Sequence, residues 1–296
     1  MKSILLSSLF LIASAAAGYA EFDEKLSRGP MIAMAAAAYS NNPQKCIDNV
    51  MPGGKVTDLA PSLGSQVTKQ VKVDCDTFHD GCFAFVVVDD RNKAIGVSYR
   101  GSESTEQIIA EVVESLFGSQ EIFPTGDKVA QYFNDALNKL FDGGILQALK
   151  DARAAHPDYE CWVAGHSLGA ALASMTGAYL SGKGICSPDK IKQYTFGEPR
   201  VGDKTWANSH DKLVPTAFRV IHRQDIIAHI PPEFMGYQHH EAEVYYNNSM
   251  SIGSPYKICI AQESQKCSEG DVDLSMDDHD EYYGHEMDDW GIGGCI

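Results

Sequence analysis

An α/β fold, with a mostly parallel central sheet flanked by helices, is predicted by three features of this sequence. Short β-branched and aromatic runs recur along the chain. Stretches with three- and four-residue apolar spacing lie between some of them. A glycine-rich turn joins one such run to a segment rich in small residues. Strands alternating with helices favour parallel pairing, because each crossover helix must cover a face of the sheet.

The runs are at 83–88 (FAFVVV), 94–99 (AIGVSY), 161–164 (CWVA), 193–196 (QYTF), 217–222 (AFRVIH), 243–246 (EVYY) and 257–260 (KICI). After the second run the period changes. Val129, Phe133, Ala136, Leu137, Leu140 and Phe141 mark one helix face. Gly143 and Gly144 interrupt it, and a second helix is expected to run to His156, stopped by Pro157. Ala170, Ala171, Ala173, Met175 and Ala178 suit a helix packed closely on a sheet.

Between CWVA and that last helix stands Gly165-His166-Ser167-Leu168-Gly169, a G-x-S-x-G pattern. Five letters are weak evidence, since glycine and serine are common here. The context is stronger: strand, sharp turn, helix is what a nucleophile elbow requires. Glycines on both sides permit the turn, and a helix N-terminus favours developing negative charge. A serine hydroxyl also needs a base, and the base needs a carboxylate to orient it. In the α/β-hydrolase arrangement both follow the serine, acid first. Downstream acids begin with Glu198 and Asp203, but Asp225 follows the apolar strand AFRVIH and so sits at a strand end. The histidines beyond it are His229, His239, His240, His279 and His285, and composition does not choose among them.

Residues 1–20 (MKSILLSSLFLIASAAAGYA) read as a signal peptide: a lysine, an apolar run, then small residues flanking Tyr19. Cleavage after Ala20 would leave 21–296, which lacks repeats and Pro- or Ser-rich linkers and is expected to be a single domain. No later segment is apolar for long enough to form a transmembrane helix. The formal charge of −16 argues against nucleic acid and anionic membranes as partners. Much of it lies in 269–289 (EGDVDLSMDDHDEYYGHEMDD), which composition alone reads as a solvated acidic tail. Eight cysteines (Cys46, Cys75, Cys82, Cys161, Cys186, Cys259, Cys267 and Cys295) suit an oxidising, extracellular compartment. Counting leaves their pairing open. Asn247-Asn248-Ser249 is a glycosylation sequon on Asn247.

Three motifs are set aside. GAYLSGKG (177–184) has Gly184 where a P-loop needs a hydroxyl for magnesium. DVDLSMDD (271–278) has Met276 in place of the EF-hand turn glycine. HHEAE (239–243) lacks H-E-x-x-H spacing and is read as surface or pocket-rim chemistry, with no metal.

Seven ordered segments carry a resemblance: AAAAYSNNPQKC (35–46), KAIGVSYRGSES (93–104), HPDYECWVAGHSLGAALAS (156–174), YTFGEPRVGD (194–203), RVIHRQDIIAHIPP (219–232), GYQHHEAEVYY (236–246) and DHDEYYG (278–284). Together they resemble the class 3 (fungal-type) lipase family, and especially its secreted nematode branch. The resemblance runs from about residue 22 to the C-terminus. It implies an α/β-hydrolase fold with Ser167 as nucleophile, Asp225 as acid and His279 as base, His285 being the fallback. The acidic stretch then becomes a loop that delivers the base.

The resemblance also implies an oxyanion hole from the backbone N–H of Ser102, helped by its hydroxyl, and that of Leu168. It places a lid at 103–118 (ESTEQIIAEVVESLFG), with Ile108, Ile109, Val112, Val113, Leu116 and Phe117 on one stripe. The elbow has Ala170 where the family usually has glycine, and VAQYF (129–133) lacks a His-x-Gly-Phe often found there. Likeness to fungal members supports disulfides Cys46–Cys295 and Cys259–Cys267, with Cys75–Cys82 a local pair and Cys161–Cys186 remaining. The implied function is a secreted carboxylic-ester hydrolase, foremost a triacylglycerol lipase working at a lipid–water interface without cofactor or metal. Its alternatives are a phospholipase A, a non-lipolytic esterase and, more remotely, a non-catalytic lipid-binding homologue.

Overall fold

The computed structural model describes residues 20–51, 64–75, 81–102 and 119–296. The lid stretch and all but the last residue of the signal peptide lie outside these residues. Eight strands form one sheet: β1 (Ser65–Asp74), β2 (Gly81–Asp89), β3 (Ala94–Tyr99), then, beyond a two-stranded ladder of β4 (Gln120–Ile122) and β5 (Lys128–Ala130), β6 (Glu160–His166), β7 (Ile191–Phe196), β8 (Ala217–His222), β9 (Glu243–Tyr246) and β10 (Lys257–Cys259). Their order is β1-β2-β3-β6-β7-β8-β9-β10. The five from β3 to β9 pair in parallel, whereas β1, β2 and β10 add antiparallel edges. The expected α/β-hydrolase fold with a mostly parallel sheet is therefore what the chain adopts.

Both faces of the sheet are covered, which explains why its central strands read as continuous apolar runs rather than alternations. Val86, Val97 and Val163 face one way, into a core shared with the helices Gln131–Asp142, Ile145–Ala155 and Leu168–Gly182. Phe85, Val87, Trp162 and Ala164 face the other, onto Ile32, Ala33, Met34, Ala35, Ala36 and Ala37 of the helix Ile32–Ala37. This is the period-two alternation of a pleated strand. The first predicted helix begins at Gln131, and the second ends at Ala155 as the approach to Pro157 requires.

Strand β1 was not among the predicted runs. Its inward positions are Ser65, Val67, Lys69, Val71 and Val73, so two of five are polar, and a bulge lies between Val67 and Lys69. An edge strand with water on one side needs no continuous apolar run.

The disulfides pair Cys46 with Cys295, Cys75 with Cys82, Cys161 with Cys186 and Cys259 with Cys267. Cys161–Cys186 ties the start of β6 to the segment entering β7, with Cα atoms 6.7 Å apart. Cys46–Cys295 spans 249 residues and fastens the C-terminal segment to the helix Pro43–Val50. Constraint of so long a loop in the unfolded chain is expected to stabilise the fold by roughly 2–5 kcal/mol. Urea unfolding of a Cys46→Ala/Cys295→Ala double variant should show a loss in that range. An unchanged midpoint would show that packing alone holds the two segments together.

Candidate active site

Ser167 sits at the junction of β6 and the helix Leu168–Gly182, with φ 58° and ψ −131°. A non-glycine residue in that region costs on the order of 1–3 kcal/mol, so the surroundings must hold it there. They do so by close packing. A Cβ on Gly165 would fall 2.2 Å from the Gly169 carbonyl oxygen, and one on Gly169 would fall 2.1 Å from that of Tyr99. Both obstacles are backbone and cannot swing away. The Ser167 N–H donates to the Phe196 carbonyl at 3.0 Å, which locks the turn to the end of β7.

Asp225 follows β8 and is fully buried. Its Oδ1 accepts the Ile227 N–H at 2.8 Å, capping the short helix Ile226–His229. Both carboxylate oxygens lie within hydrogen-bond reach of His279 Nδ1, at 2.9 and 3.0 Å. Tyr282 donates its hydroxyl to Oδ2. Burial by itself would oppose ionisation of Asp225. The imidazole of His279 and the Tyr282 hydroxyl outweigh it and hold the carboxyl below its usual range. Burial and the Asp225 charge push the Tyr282 phenol far upward, so it remains a donor.

His279 is 1% exposed, and its Nε2 makes no hydrogen bond to any described residue. The ring is tied to the serine turn from two directions. It stacks on His166, the neighbour of Ser167, with centroids 4.6 Å apart. It also abuts Gly197, where a Cβ would lie 2.7 Å from His279 Nδ1 and 2.6 Å from Asp225 Oδ2. On the far side, Gly101 is close enough that a Cβ there would be 3.0 Å from Ser167 Cβ. Ser102 therefore leaves the end of β3 beside the serine, and Leu168 opens the helix on which the serine turns.

A base held through one nitrogen by a buried carboxylate, beside a strained and glycine-flanked serine, is chemically equipped for acyl transfer. The family model for class 3 lipases matches residues 96–235, the stretch that contains Ser102, Ser167 and Asp225. The chain is 29% identical over 309 aligned residues to a Caenorhabditis elegans lipase, covering 93% of this chain and 83% of that protein. Over residues 96–235 this chain matches the class 3 lipase family. A secreted mono- and diacylglycerol lipase of Fusarium solani is 30% identical, over 69% of this chain and 60% of its own length. The solved lipase of Rhizopus microsporus var. chinensis superposes with a TM-score of 0.71 at 27% identity, over 89% of this chain and 86% of that one. The chain spans 52 to 60% of the length of the Rhizopus niveus and Fusarium relatives.

The family match ends before His279, so geometry has to separate the histidines of this chain. His229 uses Nδ1 on the Asp225 backbone carbonyl and Nε2 on that of Ser268. His285 stacks on Trp290 with centroids 3.8 Å apart and has no hydrogen bond to the Asp225 carboxylate. Among the described residues His279 alone is hydrogen-bonded to that carboxylate through its ring.

The surface reading of HHEAE is corrected: His239, His240 and Glu243 are all buried. Burying them is possible because each finds partners. His239 Nε2 meets the Ala228 carbonyl at 2.7 Å, His240 Nε2 lies 3.2 Å from Glu198, and Glu243 accepts the Ser268 N–H and pairs with Arg219. His210, Asp211 and His240 bring ligand-type atoms together. However, the two rings stack face to face at 4.0 Å, and the carboxylate already accepts from Glu241 N and Gln262 Nε2. Glu233, Glu263 and Glu269 form a second grouping, but Arg200 pairs with the latter two. Neither arrangement suits an ion better than the protein donors already in place.

Sequence reading did not single out Tyr282, Gly197 or Arg200, although all three stand in the segments that carried the resemblance. Arg200 donates to the carbonyls of His229 and Pro231 while paired with Glu263 and Glu269, and so fixes the loop that follows Asp225.

Gly197→Ala should displace the Asp225–His279 pair, and ester turnover is expected to fall at least about 100-fold. Near-wild-type kcat/KM would show that the pair tolerates such a shift. A second expectation concerns pH. Burial lowers the His166 pKa to about 3, helped by the nearby His279, and pushes those of His210 and His239 well below normal. Folded pKa values below the unfolded value of about 6.5 mean that the unfolded chain binds protons first as pH falls. This contribution is complete above about pH 6.5 and is lost progressively toward acid. Melting temperature should therefore drop from pH 7.5 to 4.5, with a shallower drop in His210→Gln. An identical slope in that variant would assign the acid loss to other groups.

Proposed function

We propose that this chain is a secreted acylglycerol lipase that works through an acyl-enzyme on Ser167. His279 Nε2 takes the proton from Ser167 Oγ as that oxygen attacks the ester carbonyl. Asp225 holds Nδ1–H and stabilises the imidazolium. The backbone N–H groups of Ser102 and Leu168 receive the oxyanion, with the Ser102 hydroxyl assisting. The tetrahedral adduct collapses as His279 returns the proton to the leaving alcohol. Water, deprotonated by His279, then attacks the acyl-serine, and a second collapse releases the fatty acid and restores Ser167.

The observation that carries this reading is the buried Asp225–His279 pair, with Nε2 uncommitted, at the strained Ser167 turn. The charge of −16 supports neutral acylglycerols over anionic lipid surfaces. The fungal relatives, one of them a mono- and diacylglycerol lipase, point the same way. Residues 1–20 are assigned as a leader, 21–296 as one catalytic domain, and the exposed Asn247 as the glycan acceptor. The stretch 103–118 is assigned as the lid.

The test sets the purified protein against Ser167→Ala on emulsified triolein and on a soluble short-chain ester. Removal of the nucleophile should lower turnover of both by several orders of magnitude, with wild-type activity rising above the solubility limit of the triglyceride. Turnover confined to the soluble ester would move the function to a non-lipolytic esterase. Absence of any Ser167-dependent turnover would favour a non-catalytic lipid-binding role.

A further inference from the structure

Tyr39 lies in the N-terminal AAAAY segment, far in sequence from Ser167, Asp225 and His279, yet its hydroxyl is 2.7 Å from His166 Nδ1. The other nitrogen of that ring, Nε2, is 2.8 Å from the backbone carbonyl of His279. The two imidazoles stack at an interplanar angle of 25°. Tyr39 is 7% exposed and His166 4%. The Tyr39 hydroxyl also packs on the strand end that leads to Ser102: a Cβ on Gly101 would fall 2.2 Å from its oxygen.

We propose that Tyr39 and His166 are positioning residues that fix the ring and backbone of His279 relative to Ser167 and to the Gly101–Ser102 backbone. The proposal rests on the catalytic reading above and adds to it a support on the face of the His279 ring, whose edge is held by Asp225. A carbonyl only accepts, so His166 carries its proton on Nε2 and donates it to His279. A neutral ring then leaves Nδ1 as an acceptor for the Tyr39 hydroxyl. Burial and the neighbouring His279 keep His166 neutral, with a pKa of about 3. Burial, then the charges of Asp288 and Asp280, push the Tyr39 phenol upward, so it stays a donor. The direction of both hydrogen bonds is thereby fixed.

Two consequences follow for turnover. His279 must accept a proton from Ser167 without drifting, because small misplacement of a base is costly. It must also keep that proton against Asp225, and a stacked neighbour that does not itself protonate leaves the charge where the leaving group needs it. Tyr39 stands in the turn that follows the helix Ile32–Ala37, so the arrangement joins three distant parts of the chain at one point.

The test uses the full secreted chain and a soluble ester, with Ser167→Ala as the background. Tyr39→Phe removes one hydroxyl and should lower kcat about tenfold with KM within about twofold. His166→Phe keeps a stacked ring without its hydrogen bonds and should cost about 100-fold, whereas His166→Gln, which retains a donor for the His279 carbonyl, should recover part of that loss. The double variant Tyr39→Phe/His166→Phe should be no worse than His166→Phe alone, since the pair acts as one unit. Nitrogen-15 NMR should show His166 as the neutral Nε2–H tautomer from pH 5 to 8, with that preference weakened in Tyr39→Phe. Kcat within about twofold of wild type in both single variants, multiplicative losses in the double, or the opposite tautomer would each overturn the proposal. An active wild type with unaffected variants sinks the positioning role alone, while a wild type without Ser167-dependent turnover sinks the catalytic reading with it.

Discussion

The helix that follows Ser167 begins against the backbone of β3, with Gly169 so near the Tyr99 carbonyl that no side chain fits between them. Much of the site depends on that approach. It forces the chain from β6 into the helix within one residue, and Ser167 absorbs the turn in its backbone. A turn this sharp leaves the serine above the ends of the parallel strands, where the segments following β3, β7 and β8 also emerge. The strain at Ser167 is sustained by the apolar contacts that bury nearly all of the helix Leu168–Gly182.

Around this turn the electrostatics are arranged in two layers. Asp225 is buried and ionised, which is tolerable only because His279, Tyr282 and the Ile227 N–H all face it. Stacked on the face of the His279 ring is His166, buried and neutral. The imidazole thus has a charged partner at its edge and an uncharged one on its face. Low local polarity strengthens its attraction to Asp225, while stacking restrains the ring.

The acidic C-terminal stretch shows how composition can mislead. Its charges do face water in part, but Asp278 and His279 are buried, and Tyr282 and Met287 are packed in the core. Arg223 lies 3.5 Å from Asp278, and the Gln224 N–H donates to that same carboxylate, so one of the acids serves to pin the segment beside Asp225. Further on, the Cys46–Cys295 bridge fixes the end of this stretch to the N-terminal helices. The loop is held at both ends, which suits an element that presents a single histidine.

Local chemistry was legible without coordinates. The apolar runs of β2, β3, β6, β7, β8 and β9 were visible because strands buried on both faces need little else, and G-x-S-x-G marked the turn because only glycine permits the contacts made at Gly165 and Gly169. The position of Asp225 after β8 was likewise readable from the strand that precedes it. Tertiary structure decided what depends on distant residues meeting. That the histidine of DHDEYYG, singled out in the sequence only by resemblance, reaches Asp225, that HHEAE is buried rather than exposed, and that Tyr39 lies on His166 across 127 residues are results of chain crossings, and no local spacing encodes them. Strand β1 belongs to the same class: an edge position lets it keep polar residues, so only its pairing with β2 reveals it.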